Sequence, residues 1–218
     1  MFAENDALIR LYAASALSHF DLGEAFPSLI QGLRDENVRV REQSARALTR
    51  QLSSSQAGTA VPILSYKAEF DPEPSVRTAS IQALGAIGGD ASLRVLLKVY
   101  SGADHRLDSR EAALGILVST YLPESMDAIR AVVTAEWTSF DQRTLESTAR
   151  VLSAARSSAL KEFFVHFLDS PDAIVRSYGV RGIGGNGFSD LKERVKKMSE
   201  QDPNPGTRRE AALALEKL

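Results

Sequence analysis

The chain has 218 residues, a formal net charge of −2 and a sequence pI near 6.0, so its overall charge disfavours nucleic acid as a partner. It contains no cysteine, which excludes disulfides, thiolate metal ligands and cysteine nucleophiles. Residues 1–5 do not resemble a signal peptide, and no apolar run approaches the ~18 residues that cross a bilayer. We therefore expect no membrane span, and the composition is compatible with a cytoplasmic protein.

The first element that the sequence defines completely is a turn followed by a helix in residues 71–90. Pro72 and Pro74 are tolerated in a turn and at the first positions of a helix, but not in a helix interior. From Val76 onward, apolar and small residues recur at the spacing of one helical face. Gly88 and Gly89 then predict the end of the helix, because glycine adopts a positive φ at little cost.

This pattern occurs seven times along the chain. Each copy starts with a residue pair that ends in arginine, and small or apolar residues follow four, seven and eight positions after the first residue of the pair. The pairs are Ile9-Arg10, Val40-Arg41, Val76-Arg77, Ser109-Arg110, Gln142-Arg143, Val175-Arg176 and Thr207-Arg208. The Gln142 copy is the weakest, because Glu146 and Arg150 occupy positions that are small or apolar elsewhere. A period of 31–36 residues is typical of stacked helical repeats.

A second apolar run lies between each pair of these helices and is long enough for two or three helical turns. These runs cover residues 25–33, 60–70, 91–100, 126–133, 160–168 and 191–198. Pro27 and Pro62 occupy matching places in two of them, and we expect both near a helix start. The sequence therefore predicts an all-α fold in which helix A, a turn and helix B alternate, with a B helix at each end.

Residues 71–88 read Asp-Pro-Glu-Pro-Ser-Val-Arg-x-x-Ser-x-x-Ala-Leu-Gly-x-Ile-Gly, which resembles the HEAT repeat in the short form named after phycobilisome lyases. The resemblance extends over essentially the whole chain and is specific in the copies at Val40, Val76, Val175 and Thr207. It implies a right-handed α-solenoid, an α-α superhelix of about thirteen helices, as a single domain over residues 1–218. The B helices are expected to start near residues 6, 38, 74, 107, 140, 173 and 205.

Aspartate and arginine recur at fixed positions around the predicted turns. The pairs Asp35–Arg41, Asp71–Arg77, Asp104–Arg110 and Asp202–Arg208 are each separated by six residues, and Asp169 or Asp172 precedes Arg176. An aspartate in a turn can accept hydrogen bonds from the first N–H groups of a helix, and the arginine can reach it or its neighbour. The HEAT resemblance implies a structural ladder of such pairs, and a row of anion-binding arginines is the functional alternative. As a helix cap, Asp71 is expected to contribute about 0.5–2 kcal/mol.

Positions of the B helices that the core does not use are the candidates for partner binding. They hold Glu42, Arg46, Arg50, Gln82, Glu111 and Arg181, with Tyr178 beside them. Arginine and tyrosine are favoured at interfaces, although a solvent-facing ridge is the alternative interpretation. In HEAT proteins the B helices line the concave side, so the resemblance places these residues there.

We expect no catalytic, cofactor-binding or metal-binding residues. Residues 182–187 match G-x-G-x-x-G, but they follow a predicted helix instead of a strand, so the motif predicts a helix end. The three histidines are isolated from one another, and residues 53–55 are predicted to form a flexible loop. Trp137 is interpreted as a packing residue between helices, with an exposed binding anchor as the alternative.

The combined prediction is a noncatalytic scaffold or assembly factor that binds a protein partner on its concave face. The family likeness leaves a phycobilin-lyase-like subunit that handles a chromophore as one alternative, and a nucleic-acid-binding HEAT-like protein as another. Ile9, Leu11, Tyr12 and Leu17 leave little room for the polar outer face that a terminal repeat needs. Self-association through the N-terminal end, or excision of the chain from a longer solenoid, is therefore also expected.

Overall fold

The computed structural model describes residues 6–19, 22–50, 52–102, 106–139 and 141–218. Within these ranges it contains thirteen α-helices and no strand, which confirms the predicted all-α fold. The helices are α1 (Ala7–Leu17), α2 (Leu22–Gly32), α3 (Val38–Ala47), α4 (Ser54–Phe70), α5 (Pro74–Ile87), α6 (Gly89–Ser101), α7 (Leu107–Thr120), α8 (Leu122–Ser139), α9 (Gln142–Ala154), α10 (Lys161–Phe167), α11 (Ala173–Asn186), α12 (Lys192–Gln201) and α13 (Pro205–Leu215). Short 3-10 turns, Ser158–Leu160 and Ser189–Leu191, precede α10 and α12.

The chain divides into two compact units, an N-terminal unit of residues 1–125 and a C-terminal unit of residues 126–218. In the N-terminal unit the B helices α1, α3, α5 and α7 pack side by side in that order, and the A helices α4 and α6 form a second layer. In the C-terminal unit the B helices α9, α11 and α13 form the equivalent layer, with α10 packed on α11 and α12 packed on α13. A single solenoid over residues 1–218 stays a prediction.

The core of each unit follows from the repeat pattern. In the N-terminal unit, Val40 and Val76 of the B helices and Leu64 of α4 are fully buried. In the C-terminal unit, α11 approaches its neighbours through glycine. A Cβ atom on Gly184 would lie 2.7 Å from the Cβ of Ala214, which is closer than side chains can pack. Glycine at this position therefore sets the close approach of α11 and α13.

The start of α4 differs from the prediction. Ser53 caps α4 through its Oγ, which accepts a hydrogen bond from the Gln56 amide at 3.3 Å, while Gln56 Oε1 accepts from the Ser53 amide at 2.9 Å. This capping box fixes the helix start at Ser54, so residues 53–55 are not a loop. Pro62 accordingly lies inside α4, and Pro27 lies inside α2. Both prolines are exposed, so water can satisfy the carbonyl group that loses its donor.

The glycine-rich segment 182–187 ends a helix, as predicted, but only at its last residue. Gly187 adopts the left-handed conformation, with φ 68° and ψ 36°, and forms the C-cap of α11. Gly182 and Gly184 lie inside the helix and are buried. Close helix packing therefore explains why these positions are glycine, and a dinucleotide-binding motif is not needed to explain them.

Candidate functional site

In the N-terminal unit, the arginines of α3 and α5 each join two consecutive turns. Arg41 donates through Nε and Nη2 to both carboxylate oxygens of Asp71, at 2.9 and 3.0 Å. Its Nη1 donates to the carbonyl oxygens of Asp35 and Glu36, both at 3.0 Å. The arginine therefore binds the backbone of its own turn and the carboxylate of the next turn, and we call this contact between two repeats a ladder link.

Arg10 makes the same kind of ladder link one repeat earlier. Its Nε and Nη2 donate to Asp35 at 2.8 and 3.0 Å, and Nη2 also donates to Glu36 at 3.1 Å. The carboxylate of Asp35 accepts a further hydrogen bond from the Asn37 amide at 2.8 Å. The carboxylate of Asp35 thus orders its own turn and binds the arginine of the preceding repeat, whereas Arg41, six residues later, binds the Asp35 carbonyl oxygen.

Among the ladder acids that the structure describes, Asp71 accepts the largest number of hydrogen bonds. It is 3 % exposed and accepts hydrogen bonds from Arg41, from Lys67 Nζ at 3.0 Å and from the Glu73 amide at 3.1 Å. Burial by itself would raise the pKa of Asp71, but these hydrogen bonds outweigh it, and the pKa lies below its ordinary value. Asp71 is therefore ionised and structural at neutral pH.

The next ladder link in the N-terminal unit uses a different acid. Arg77 donates through Nη2 to Asp108 at 2.6 Å and through Nε to the Ser109 hydroxyl at 3.0 Å. Its Nη1 donates to the carbonyl oxygens of Asp71 and Pro72, as the Nη1 of Arg41 does in the preceding turn. Asp104, which the six-residue spacing paired with Arg110, lies outside the described residues.

The predicted Asp104–Arg110 pair therefore stays a prediction, but Arg110 makes contacts with α6 that the structure describes. Its Nε donates to the Tyr100 carbonyl oxygen at 2.9 Å, and its guanidinium lies 5.9 Å from the Tyr100 ring centroid. This arginine therefore anchors the C-terminal end of α6 to the start of α7.

In the C-terminal unit, Arg176 forms a ladder link with Asp202, at 2.8 and 2.9 Å. The hydrogen bond from Arg176 lowers the pKa of Asp202, although burial opposes it. Arg208 Nη1 donates to the Asp202 carbonyl oxygen at 2.7 Å. Arg176 Nη1 in turn binds the carbonyl oxygens of Ser170 and Pro171, so Ser170 occupies the place that aspartate holds in the other turns.

The two aspartates that the sequence placed before Arg176 have other roles. Asp172 is the N-cap of α11, and its Oδ1 accepts from the amides of Ile174 and Val175 at 2.6 and 3.0 Å. Asp169 pairs with Arg194 at 2.5 Å. Neither aspartate contacts the Arg176 guanidinium through a hydrogen bond in the described structure.

Helix α9 shows that the predicted alignment of the Gln142 copy is wrong by two residues. The ladder arginine lies four residues after the N-cap of its helix, as Arg41 follows Asn37 and Arg176 follows Asp172. The N-cap of α9 is Asp141, which places Leu145 at the ladder position. Leu145 is buried, whereas Arg143 and Arg150 are exposed.

The ladder link from α9 to the next turn is therefore missing at both ends, because Leu145 replaces the arginine and Ser170 replaces the aspartate. A pocket of about 240 Å³ lies at this place. It is lined by Glu136, Trp137, Gln142, Leu145, Ser170, Pro171 and Asp172. Its volume is below the roughly 300–1,000 Å³ of pockets that enclose drug-sized ligands, so it matches a side chain better than a large cofactor.

The pocket wall combines an aromatic ring with two carboxylates. Trp137, in the last turns of α8, is half-buried and contacts the His166 ring in a tilted arrangement, with 3.8 Å between ring centroids. Glu136 is only 5 % exposed, and Asp172 is hydrogen-bonded to the Gln142 side chain. The sequence identified Trp137 as a packing or binding residue, but it gave no signal for the pocket.

The predicted partner-binding residues of the N-terminal unit lie on exposed or partly exposed surface. Arg46 pairs with Glu42 one helical turn earlier, at 2.8 Å, and Arg50 donates to the Ser18 carbonyl oxygen at 3.2 Å. Gln82 is exposed, and Glu111 is half-buried. Arg46 and Glu42 are thus held in a fixed arrangement by an intrahelical ion pair.

The predicted residues of the C-terminal unit form one connected group. Arg181 binds both oxygens of Glu210, at 2.9 and 3.0 Å, and its guanidinium lies 5.3 Å from the Tyr178 ring centroid. The hydrogen bond from Arg181 lowers the pKa of Glu210, against the effect of burial. This arrangement holds an arginine and an aromatic ring together on the exposed side of α11.

The described ranges contain neither a candidate metal site nor a candidate membrane span. No group of three His, Asp or Glu side chains there is placed to share a metal ion. No helix there has the length and apolar character that crossing a membrane requires.

Comparison with known families places HEAT repeats in residues 26–116, which match the HEAT-repeat model. The predicted HEAT resemblance is confirmed for this segment. Among curated proteins none matches the sequence significantly.

Several solved structures are similar to this chain at low sequence identity. An engineered protein is 19% identical, with 88% of this chain and 97% of that chain covered and a TM-score of 0.47. The complex of CpcE and CpcF of phycocyanin lyase from Nostoc is 21% identical, with 99% and 91% covered and a TM-score of 0.46. Human deoxyhypusine hydroxylase is 17% identical, with 98% and 91% covered and a TM-score of 0.40.

Proposed function

We propose that this protein, which carries HEAT repeats in residues 26–116, is a noncatalytic scaffold that binds a protein partner through its B helices. The observation that carries the proposal is the division of its arginines into two groups. Arg41 and Arg77 are buried in ladder links, where their role is structural. Arg46 and Arg181 lie about half-exposed on the B helices, and no ladder link accounts for them.

The exposed arginines are arranged in a way that favours binding. The ion pairs Arg46–Glu42 and Arg181–Glu210 already restrict the long arginine side chains before a partner binds. Less rotamer freedom is therefore lost on association. Tyr178 adds an aromatic surface beside Arg181, and Tyr and Arg are the residue types that dominate interface energies. We name the set Glu42, Arg46, Arg50, Gln82, Glu111, Tyr178 and Arg181 the B-helix ridge.

The test is a charge reversal on this ridge. The partner is first identified by pull-down from the source cell and mass spectrometry, and its Kd is then measured with Arg46→Glu, Arg50→Glu protein. The control is Arg34→Glu, Arg94→Glu, which changes the same charge at two exposed residues outside the ridge. We expect the ridge variant to bind at least about tenfold more weakly, as for loss of interface arginines, and the control to bind normally. Equal binding by both variants would remove Arg46 and Arg50 from the site.

We also propose self-association through α1. The side chains of Leu8, Ile9 and Tyr12 are 53%, 52% and 66% exposed, an apolar cluster of the kind that marks association sites. Light scattering is expected to show a dimer or larger species that Ile9→Glu, Tyr12→Glu converts to a monomer. A parent protein that is monomeric at the highest soluble concentration would contradict this.

A further inference from the structure

The pocket of the C-terminal unit lies where the fold elsewhere holds a guanidinium group. In the neighbouring repeats, an arginine four residues after the N-cap extends from its B helix to the acid of the next turn, as Arg176 does to Asp202. On α9 this position belongs to Leu145, whose side chain stops short of that turn. Leu145 and Ser170, the two ends of the missing link, both line the pocket.

Ser170 keeps the hydrogen bond that a ladder aspartate accepts within its own turn, but it has no carboxylate to bind an arginine. Its Oγ accepts a hydrogen bond from the Asp172 amide at 3.2 Å, as Asp35 accepts from Asn37 and Asp202 accepts from Asn204. The turn is therefore ordered without a carboxylate. The carboxylates that line the pocket belong instead to Glu136 and Asp172.

The lining of the pocket suits a planar cation. A guanidinium group can stack on an aromatic face such as Trp137 and can donate in parallel to carboxylates. Glu136 is nearly buried, and the attraction between opposite charges is stronger there than in bulk water. Leu145 and Pro171 supply apolar surface for the methylene groups of the side chain.

We propose that this pocket binds an arginine side chain of the protein partner, which replaces the missing ladder arginine in trans. The inference rests on the proposed protein-binding function and adds a contact that the B-helix ridge does not contain. Arginine is favoured over lysine, because an ammonium group is more strongly hydrated and lacks the planar fork that matches carboxylates.

The test uses the single tryptophan of the chain, which lines the pocket, so intrinsic fluorescence reports on this site directly. The protein is titrated with N-acetyl-arginine amide, with N-acetyl-lysine amide and with N-acetyl-citrulline amide, the neutral isostere of the arginine probe. We expect a saturable change in Trp137 emission with the arginine probe, at least about tenfold weaker binding of the lysine probe and no saturation with citrulline.

Two variants establish where the probe binds. Glu136→Gln keeps the shape of the side chain and removes its charge, and we expect it to weaken arginine binding by about tenfold or more, as for loss of a charged hydrogen-bond partner. Glu193→Gln, at an exposed residue of α12, is the matched control and should bind normally. Leu145→Arg, Ser170→Asp restores an internal ladder pair, fills the pocket and should abolish binding. Circular dichroism checks that each variant is folded, and Glu136→Gln decides the result if the double variant does not fold.

The result also separates this inference from the scaffold proposal. Absence of arginine binding, or unchanged binding by Glu136→Gln, overturns the inference even if the partner still binds the B-helix ridge. If the protein binds the arginine probe but the ridge variant binds the partner normally, the ridge proposal is overturned. The pocket inference then still holds.

Discussion

The two units use the same turn-and-helix repeat but differ in how consecutive repeats are joined. In the N-terminal unit, Arg10, Arg41 and Arg77 form three consecutive ladder links to the acids of the next turns. In the described part of the C-terminal unit, the link from Arg176 to Asp202 is preceded by a position where both members are absent. The pocket beside Trp137 lies at that position.

Where this ladder link is absent, its arginine and its aspartate are both replaced. A buried aspartate at position 170 without its arginine, or a buried arginine at position 145 without its aspartate, would cost several kcal/mol. Leu145 and Ser170 avoid both penalties, since one is apolar and the other meets its hydrogen-bonding needs within the turn. The C-terminal unit therefore lacks an ion pair at this position and has a pocket with carboxylates in its wall.

The largest expected effect is in the N-terminal unit, at Asp71. Replacing Asp71 with Ala leaves Arg41 and Lys67 without their buried acceptor, so we predict a loss of about 3–5 kcal/mol in the free energy of unfolding. This exceeds the 0.5–2 kcal/mol expected for a helix cap, because the structure gives Asp71 two cationic partners. Urea denaturation followed by circular dichroism measures the loss.

The control for this variant is Asp127→Ala in the C-terminal unit. Asp127 has a 96%-exposed side chain paired with Arg130, and exposed ion pairs contribute only about 0–1 kcal/mol. A loss at Asp71 no larger than the loss at Asp127 would show that the ladder link is not a major source of stability.

A smaller effect is expected from pH. The folded-state pKa values of Asp35 and Asp71 lie below their ordinary values, because hydrogen bonds from arginine and backbone amides outweigh burial. Their contribution to stability is complete above the unfolded-state pKa of about 3.9 and is lost as the pH falls through the lower folded-state pKa. Urea denaturation at a series of pH values should show this loss, and Asp71→Asn should make it shallower. A pH dependence unchanged by Asp71→Asn would contradict the role of this carboxylate.

The sequence predicted the helical repeats because the helix periodicity and turn residues are local signals. It did not predict which arginine binds which acid, because Arg41 and Asp71 are thirty residues apart and no local spacing reports their contact. The α4 start was missed because the Ser53–Gln56 capping box was interpreted as a loop.

The pocket could not be predicted for a related reason. The arginine at position 143 matched the repeat pattern, but the cap at Asp141 moves the ladder position to Leu145. Ser170 lies between Asp169 and Asp172, and from the sequence either aspartate could be the ladder acid. In the structure, Arg176 binds the Ser170 carbonyl oxygen, which puts Ser170 at the ladder-acid position. Only the three-dimensional register reveals that both members of one link are absent.

If Leu145 and Ser170 occupy the two ends of one missing ladder link, then an arginine and an aspartate placed there should stabilise each other, and a double-mutant cycle measures this coupling. The free energy of unfolding is measured for the parent, Leu145→Arg, Ser170→Asp and the double variant. We predict that each single variant is destabilised, because it buries an unpaired charge, and that the double variant recovers at least about 1 kcal/mol relative to the sum of the single losses. Additive losses would contradict the claim.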